Sequence, residues 1–407
     1  MNPKTRKQKC LPSSLSKKMD RKNKKKRKLS KSQEIIVASP TLTEIEVPRA
    51  IDVRKAMEKQ NDVALFLAGK VISAVAKNSN FVFSTASINA VLTMAASTSG
   101  YDDLNAVFRE IACVVLADGS KNGGPKIAVV NGVWMDQSLS LSPSSKDLLM
   151  NFFKANFFQV DFRSKAEQVR MEVNEWASNR SNGLINNLLP PGSVRKKDTD
   201  WIYGNALYFK GAWECKFDKS MTKDKDFHLL NGTSVSVPFM RSYEKQYITA
   251  YNGFKVLRLP YRAGRDDTNR EFSMYFYLPN KKDGLGNLLE RMTSTRGFLD
   301  NHIPSYKVEV GKFRIPKFKI EFGFEASKVF DDLELEVLLY QKVSIEIDEK
   351  GTKAFTFNAY VGSYLDAAPK PKKIDFVADH PFFFLIREDQ TGTVLFAGQI
   401  FNPSKSS

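Results

Sequence analysis

Three cysteines and three histidines are all that 407 residues contain, and this scarcity excludes several kinds of protein at once. Cys10, Cys113 and Cys215 are odd in number and far apart, so they form neither a disulfide framework nor a metal-site pattern. His228, His302 and His380 are just as scattered, with no Ser–His–Asp or Cys–His motif around them and no phosphate-binding glycine loop nearby. The expectation is a protein that is not an enzyme and holds no metal or cofactor. No apolar run approaches the roughly 18 residues that would span a bilayer. The basic N-terminus is not followed by the apolar core of a secretory signal. A soluble, intracellular protein in a reducing compartment, without membrane association, is expected.

The net charge of +17 is unevenly spread. Residues 1–33 hold 14 Lys and Arg against the single Asp20, which leaves the rest of the chain at only about +4. The basicity belongs to a tail that has few large apolar residues to offset the entropy of ordering. Residues 1–50 therefore read as a disordered basic extension and linker, residues 51–403 as the folded domain and 404–407 as a short C-terminal tail. Within the extension, Arg21, Lys22, Lys24, Lys25, Lys26, Arg27 and Lys28 form a dense basic run. It suits a nuclear import receptor first, then a non-specific hold on nucleic-acid phosphates, then a merely solvated tail. The tail has no aromatic residue to stack on bases, which argues against specific single-strand binding. The nucleus is expected ahead of the cytoplasm.

With 42% hydrophobic residues the remaining chain can bury a sizeable core. Leu67, Val71 and Val75 recur at helical spacing in a stretch running to about Lys77, and a second apolar helix is expected from Ser87 to about Ala96. Short strands are expected at 81–83, 256–259 and 272–278, and along 307–322, where Pro316 suggests a bulge or an edge. Val343, Ile345 and Ile347 alternate with Ser344, Glu346 and Asp348, the mark of a strand with one buried face. Helices cluster early and strands late, and no repeat of 20 to 50 residues occurs. The fold class is α+β.

Residues 349–375 break this pattern. After Glu349-Lys-Gly-Thr352 about 20 residues show no periodicity, and strand spacing resumes only at Ile374. A long structureless loop inside a compact domain is usually functional, so an exposed binding loop is the preferred reading.

Several ordered motifs then point to one family. Phe376-Val-Ala-Asp-His-Pro-Phe-Phe-Phe-Leu-Ile386 resembles the C-terminal signature of the serpins, and Asn205-Ala-Leu-Tyr-Phe-Lys-Gly-Ala-Trp213 their central strand. Phe227-His-Leu-Leu-Asn-Gly-Thr233 with Val237-Pro-Phe-Met240, and Asn174-Glu-Trp176 through Gly183-Leu-Ile185, match two further landmarks. Asn131-Gly-Val-Trp134 and Val394-Leu-Phe-Ala-Gly398 are similar to plant serpins in particular. The resemblance runs over about residues 50–403. It implies helices packed on a large central antiparallel or mixed sheet, two further sheets, and an exposed reactive loop.

It also implies a mechanism. A protease cleaves the loop, and the freed loop inserts into the main sheet as a new strand, carrying the acyl-enzyme with it. The resemblance places the hinge at Glu349, Gly351, Thr352, Ala354 and Thr356. Counting from Glu349 and from Phe376 puts the reactive bond at Leu365–Asp366, with Tyr364 entering the neighbouring subsite. Leu365 suits chymotrypsin-like serine proteases and Tyr364 papain-like cysteine proteases; cleavage after Asp366 would instead serve an aspartate-specific enzyme. A monomer partnered by its target protease is expected, with a non-inhibitory substrate or binding protein as the alternative.

Four departures from the family are visible. The hinge run Thr352-Lys-Ala-Phe-Thr-Phe-Asn358 has phenylalanines where alanines are usual, although alternation puts Thr352, Ala354, Thr356 and Asn358 on the inward face. The histidine beneath the sheet opening is replaced by Gln341, while its expected partners Ser84, Ser87 and Asn205 remain; Trp213 lies where the loop would enter. Thr85 stands where proline is usual, and the chain is short by about one helix near Gly100.

Overall fold

The computed structural model describes residues 53–88, 115–181, 183, 186–265, 270–329, 338–349 and 373–405. The chain divides into a unit of residues 1–49 and a unit of residues 50–407, and every described residue belongs to the second. The basic run of residues 21–28, the stretch around Gly100 and the loop of residues 350–372 lie outside the described residues.

In chain order the described helices and strands are α1 (Val53–Val75), β1 (Phe81–Phe83), β2 (Lys126–Asp136), α2 (Pro143–Asp147), β3 (Ala155–Val160), α3 (Phe162–Arg180), β4 (Trp201–Lys210), β5 (Lys223–His228), β6 (Ser234–Met240), β7 (Gln246–Tyr251), β8 (Phe254–Pro260), β9 (Phe272–Pro279), α4 (Leu285–Ser294), β10 (Lys307–Val308), β11 (Val310–Pro316), β12 (Phe318–Glu325), α5 (Ala326–Val329), β13 (Leu338–Ile347), β14 (Ile374–Val377), β15 (Phe382–Glu388) and β16 (Val394–Ile400). They build three sheets. Seven strands run β1-β16-β15-β9-β8-β7-β10, four run β14-β11-β6-β5, and five run β12-β13-β4-β2-β3.

Local chemistry explains the elements. Ala64, Leu67, Ala68 and Val71 place one buried stripe on α1, and past its end Asn78 takes a left-handed φ of 57°, which asparagine tolerates better than most residues. This helix begins well before the periodicity at Leu67. All eight residues of β9 are buried, because β8 and β15 flank it and apolar clusters cover both faces. On α3, Asp161 caps the start by accepting from the Ser164 N–H at 2.8 Å, and Phe162, Ala166, Val169, Val173 and Ala177 form the buried stripe. That stripe packs with Trp134 of β2, Ile202 of β4 and Tyr340 of β13, so α3 lies over the five-stranded sheet.

Two expectations from periodicity change. The run at 307–322 is not one strand bulged at Pro316 but three strands, one in each sheet. Pro316 has no N–H to continue the ladder, so β11 ends there against Phe239; the Lys317 N–H then bonds the Pro238 carbonyl at 2.8 Å as the chain crosses sheets. The early half is also not mainly helical, since the long strands β2 and β4 both precede residue 211. In β13 the alternation holds, with Gln341, Val343, Ile345 and Ile347 buried and Glu346 exposed.

Candidate functional site

The five-stranded sheet is incompletely zipped. β13 and β4 run parallel and share register only at Leu338↔Ile202, Leu339↔Tyr203 and Tyr340↔Gly204. Beyond that point β13 continues to Ile347 and β4 to Lys210 without pairing across the seam. Each remains paired on its outer side, β13 with β12 as far as Ile347↔Phe318 and β4 with β2 as far as Lys210↔Lys126. Among the described residues the sheet therefore carries an interior gap bordered by two strand edges, whose backbone groups can accept another strand.

Three side-chain devices hold this seam. At its closed end Gln341 clasps Ser84: its Oε1 accepts from the Ser84 N–H at 2.8 Å and its Nε2 donates to the Ser84 carbonyl at 3.0 Å. An amide can do both at once to a single residue because donor and acceptor sit side by side. Ser84 is fully buried, its hydroxyl donates to the Leu395 carbonyl at 2.9 Å, and the Ser87 N–H bonds the same hydroxyl at 3.1 Å. Thr85, also buried, bonds the Val394 carbonyl and ties the same turn to β16.

At the open end Trp213 spans the gap. Its Nε1 donates to the Asp348 carbonyl at 2.9 Å, so the segment after β4 is tied to the segment after β13. The indole is held in place by stacking on Tyr261, with ring centres 4.6 Å apart. An entering strand has to pass this hydrogen bond first.

The third device anchors Glu349, the residue expected to begin the hinge. Glu349 is buried and its carboxylate accepts from Lys317 Nζ at 2.9 Å and Thr222 Oγ1 at 2.8 Å. Burial pushes this carboxyl up, but the Lys317 ammonium and the Thr222 hydroxyl outweigh it, and the group lies below the ordinary carboxylate value. Glu349 is thus a fixed point just past the end of β13.

Asn205 is placed differently from the expectation that it partners residue 341. Its Nδ2 donates to Asn131 Oδ1 at 2.6 Å, and Asn131 in turn donates to the Phe153 carbonyl at 2.8 Å. One further step of the β13–β4 register sets Asn205 level with Gln341, yet its buried Oδ1 has no hydrogen-bond partner among the described residues. Of the hinge residues only Glu349 is described; Gly351, Thr352, Ala354, Thr356, Tyr364, Leu365 and Asp366 lie outside the described residues. Lys317, Thr222, Asn131 and Asp348 had escaped sequence reading, since each gains its role only from a distant strand.

Outside the seam, His380 bridges Asp379 and the Pro279 carbonyl, both at 2.8 Å, in keeping with a structural part. Cys215 is exposed and free, and burial of its thiol raises its pKa, the direction that disfavours a reactive thiolate.

A sheet gapped between parallel strands, with the carboxylate at the end of β13 anchored beside the gap, is the arrangement of a strand-accepting fold. The family model for serpins (serine protease inhibitors) matches residues 58–403, and the chain belongs to the serpin family. Its relatives are plant serpins. It is 64% identical over 440 residues to "Probable non-inhibitory serpin-Z5" of Arabidopsis thaliana, covering 99% of this chain and 100% of that protein. It is also 64% identical over 402 residues to Serpin-Z2 of the same plant, covering 94% and 97% respectively. Among solved structures, Arabidopsis AtSerpin1 in its native stressed conformation matches with a TM-score of 0.79 at 44% identity, over 88% of this chain and all of that one.

Proposed function

We propose that this serpin is a suicide inhibitor of a protease, baited at Leu365–Asp366. The observation that carries the reading is the open seam between β4 and β13, which leaves the edges of Asn205–Lys210 and Gln341–Ile347 able to pair with an entering strand. Insertion of the hinge would add roughly ten backbone hydrogen bonds, each worth about 1 kcal/mol net. That difference makes the native sheet a stored, kinetically held state. Thr352, Ala354, Thr356 and Asn358 would share a face with the buried side chains of β13, while Phe355 and Phe357 would stand outward. The target class is a serine protease of chymotrypsin-like preference, or a papain-like cysteine protease reading Tyr364.

A second reading, a serpin cleaved as a substrate without trapping, is supported by Phe355 and Phe357 in the hinge. It is supported also by the name of the Serpin-Z5 relative, which describes that protein as non-inhibitory. Incubation with chymotrypsin-like and papain-like proteases separates the two. A covalent complex stable in SDS supports inhibition; cleavage after Leu365 with no complex and no rise in heat resistance selects the substrate reading. The basic run from Arg21 to Lys28 is proposed to act as a nuclear import signal, with phosphate-backbone binding as its alternative.

A further inference from the structure

A second concave site lies away from the seam, between one face of α3 and the β2–β3 edge of the five-stranded sheet. It is a groove of about 640 Å³, within the range of small-molecule pockets. Its α3 wall is drawn from Glu172, Glu175, Trp176, Asn179 and Arg180, spaced as one helical stripe. Its strand wall carries Trp134, Phe157 and Phe158.

The aromatic lining is built rather than incidental. Trp134 stacks on Phe158 with ring centres 5.3 Å apart and meets Trp176 edge-on at 4.8 Å. Trp176 Nε1 donates to Asn156 Oδ1 at 3.2 Å, which fixes the second indole. Both indoles press on the sheet backbone where side chains are missing. A Cβ at Gly132 would lie 2.5 Å from Trp134 and 2.8 Å from Trp176, and one at Gly204 would lie 2.9 Å from Trp134. Phe158 nevertheless stays 37% exposed, an apolar ring on the edge strand β3.

Electrostatics choose the occupant. The faces of the rings are electron-rich. Glu172 and Glu175 add two carboxylates against the single Arg180, and neither has a cationic partner among the described residues; Glu172 accepts only an amide hydrogen of Gln168, at 2.9 Å. We propose that the groove binds a small organic cation with an apolar body, a quaternary ammonium or protonated aromatic amine, with its charge toward Glu172 and Glu175 and its body on Trp134, Phe158 and Trp176. Cation–π attraction and the carboxylates act on the same group, whereas an anion would meet repulsion from both.

The test uses the full chain and benzyltrimethylammonium, followed by calorimetry and by tryptophan fluorescence. Saturable binding below ~10 mM that weakens about tenfold in E172Q/E175Q and in Phe158→Ala supports the site. Both variants alter exposed side chains, so an unchanged thermal transition shows that they fold. Equal binding of the neutral carbon isostere, or binding unaffected by the paired glutamine variant, would overturn the cation assignment. No saturation up to that concentration would overturn the site altogether. Because binding is read directly, the result does not depend on whether the seam traps a protease.

Discussion

Replacing Gln341 with leucine isolates the clasp at the closed end of the seam. Leucine keeps nearly the volume of the side chain and removes both hydrogen bonds, those from the Ser84 N–H and to the Ser84 carbonyl. Each bond is worth about 1 kcal/mol net. Ser84 is fully buried, so its N–H left without a partner costs a further ~1–3 kcal/mol, whereas its carbonyl still accepts from the Ile88 N–H at 3.2 Å. The apolar side chain recovers about 1–2 kcal/mol through burial. The balance is a loss of about 1–4 kcal/mol, beyond the ~0.5 kcal/mol typical of surface changes. Urea unfolding followed by tryptophan fluorescence should show an earlier midpoint at an unchanged slope. A midpoint within the range of a surface substitution would mean that the clasp does not hold β13 to the turn after β1, and the account of the seam would fail. Gln341→Glu adds a sign test. Its buried carboxyl, facing the Ser84 carbonyl, should have a raised pKa, so its stability should be best below the unfolded carboxylate value and should fall as pH rises through the folded one.

Other outcomes follow from the same geometry. Trp213→Phe removes the Nε1 donor to Asp348 and should cost about 1–2 kcal/mol by urea titration while raising the rate of spontaneous loop uptake, which native gels would follow; an unchanged rate would show that this contact does not guard the entrance. Glu349 has a depressed pKa in the fold, so its stabilisation is present above the unfolded value of about 4.5 and is lost as pH falls through the native one. In Glu349→Gln the acid limb of a pH–stability profile should be shallower, and an identical limb would remove the hinge anchor from the argument. Leu365→Arg should redirect cleavage to trypsin-like proteases, and unchanged cleavage specificity would refute the loop register. Deleting residues 17–31 should abolish nuclear accumulation of a tagged chain, and persistence would refute the import reading.

The seam places the functional logic in what is left unpaired. β4 and β13 are each well supported on the far side, by β2 and by β12, so the sheet can stay open along Gln341–Ile347 without losing either strand. Among the described residues the ties across it are few and local, one side-chain bond at the entrance and a short parallel ladder at the base. Such contacts can be broken in sequence by an entering strand without dismantling the core.

Local words along the chain were enough to reveal the family, because serpin landmarks such as Phe376–Ile386 and Asn205–Trp213 record residues that must occupy set places in a fold. The resemblance also singled out Glu349, which the structure places buried beside Lys317 and Thr222. Periodicity could not divide 307–322 into three strands, because all three share the same alternation and only the partner strands differ. Nor could it find Lys317 and Thr222 beside Glu349, Asp348 beneath Trp213, or Asn131 beside Asn205. Those pairings join segments tens to more than a hundred residues apart, and sequence spacing carries no information about which edges meet. The sequence by itself determined the family and the alternation along the strands. Tertiary structure alone decided where the sheet stays open and what holds it, because unpaired backbone is a property of neighbours in space.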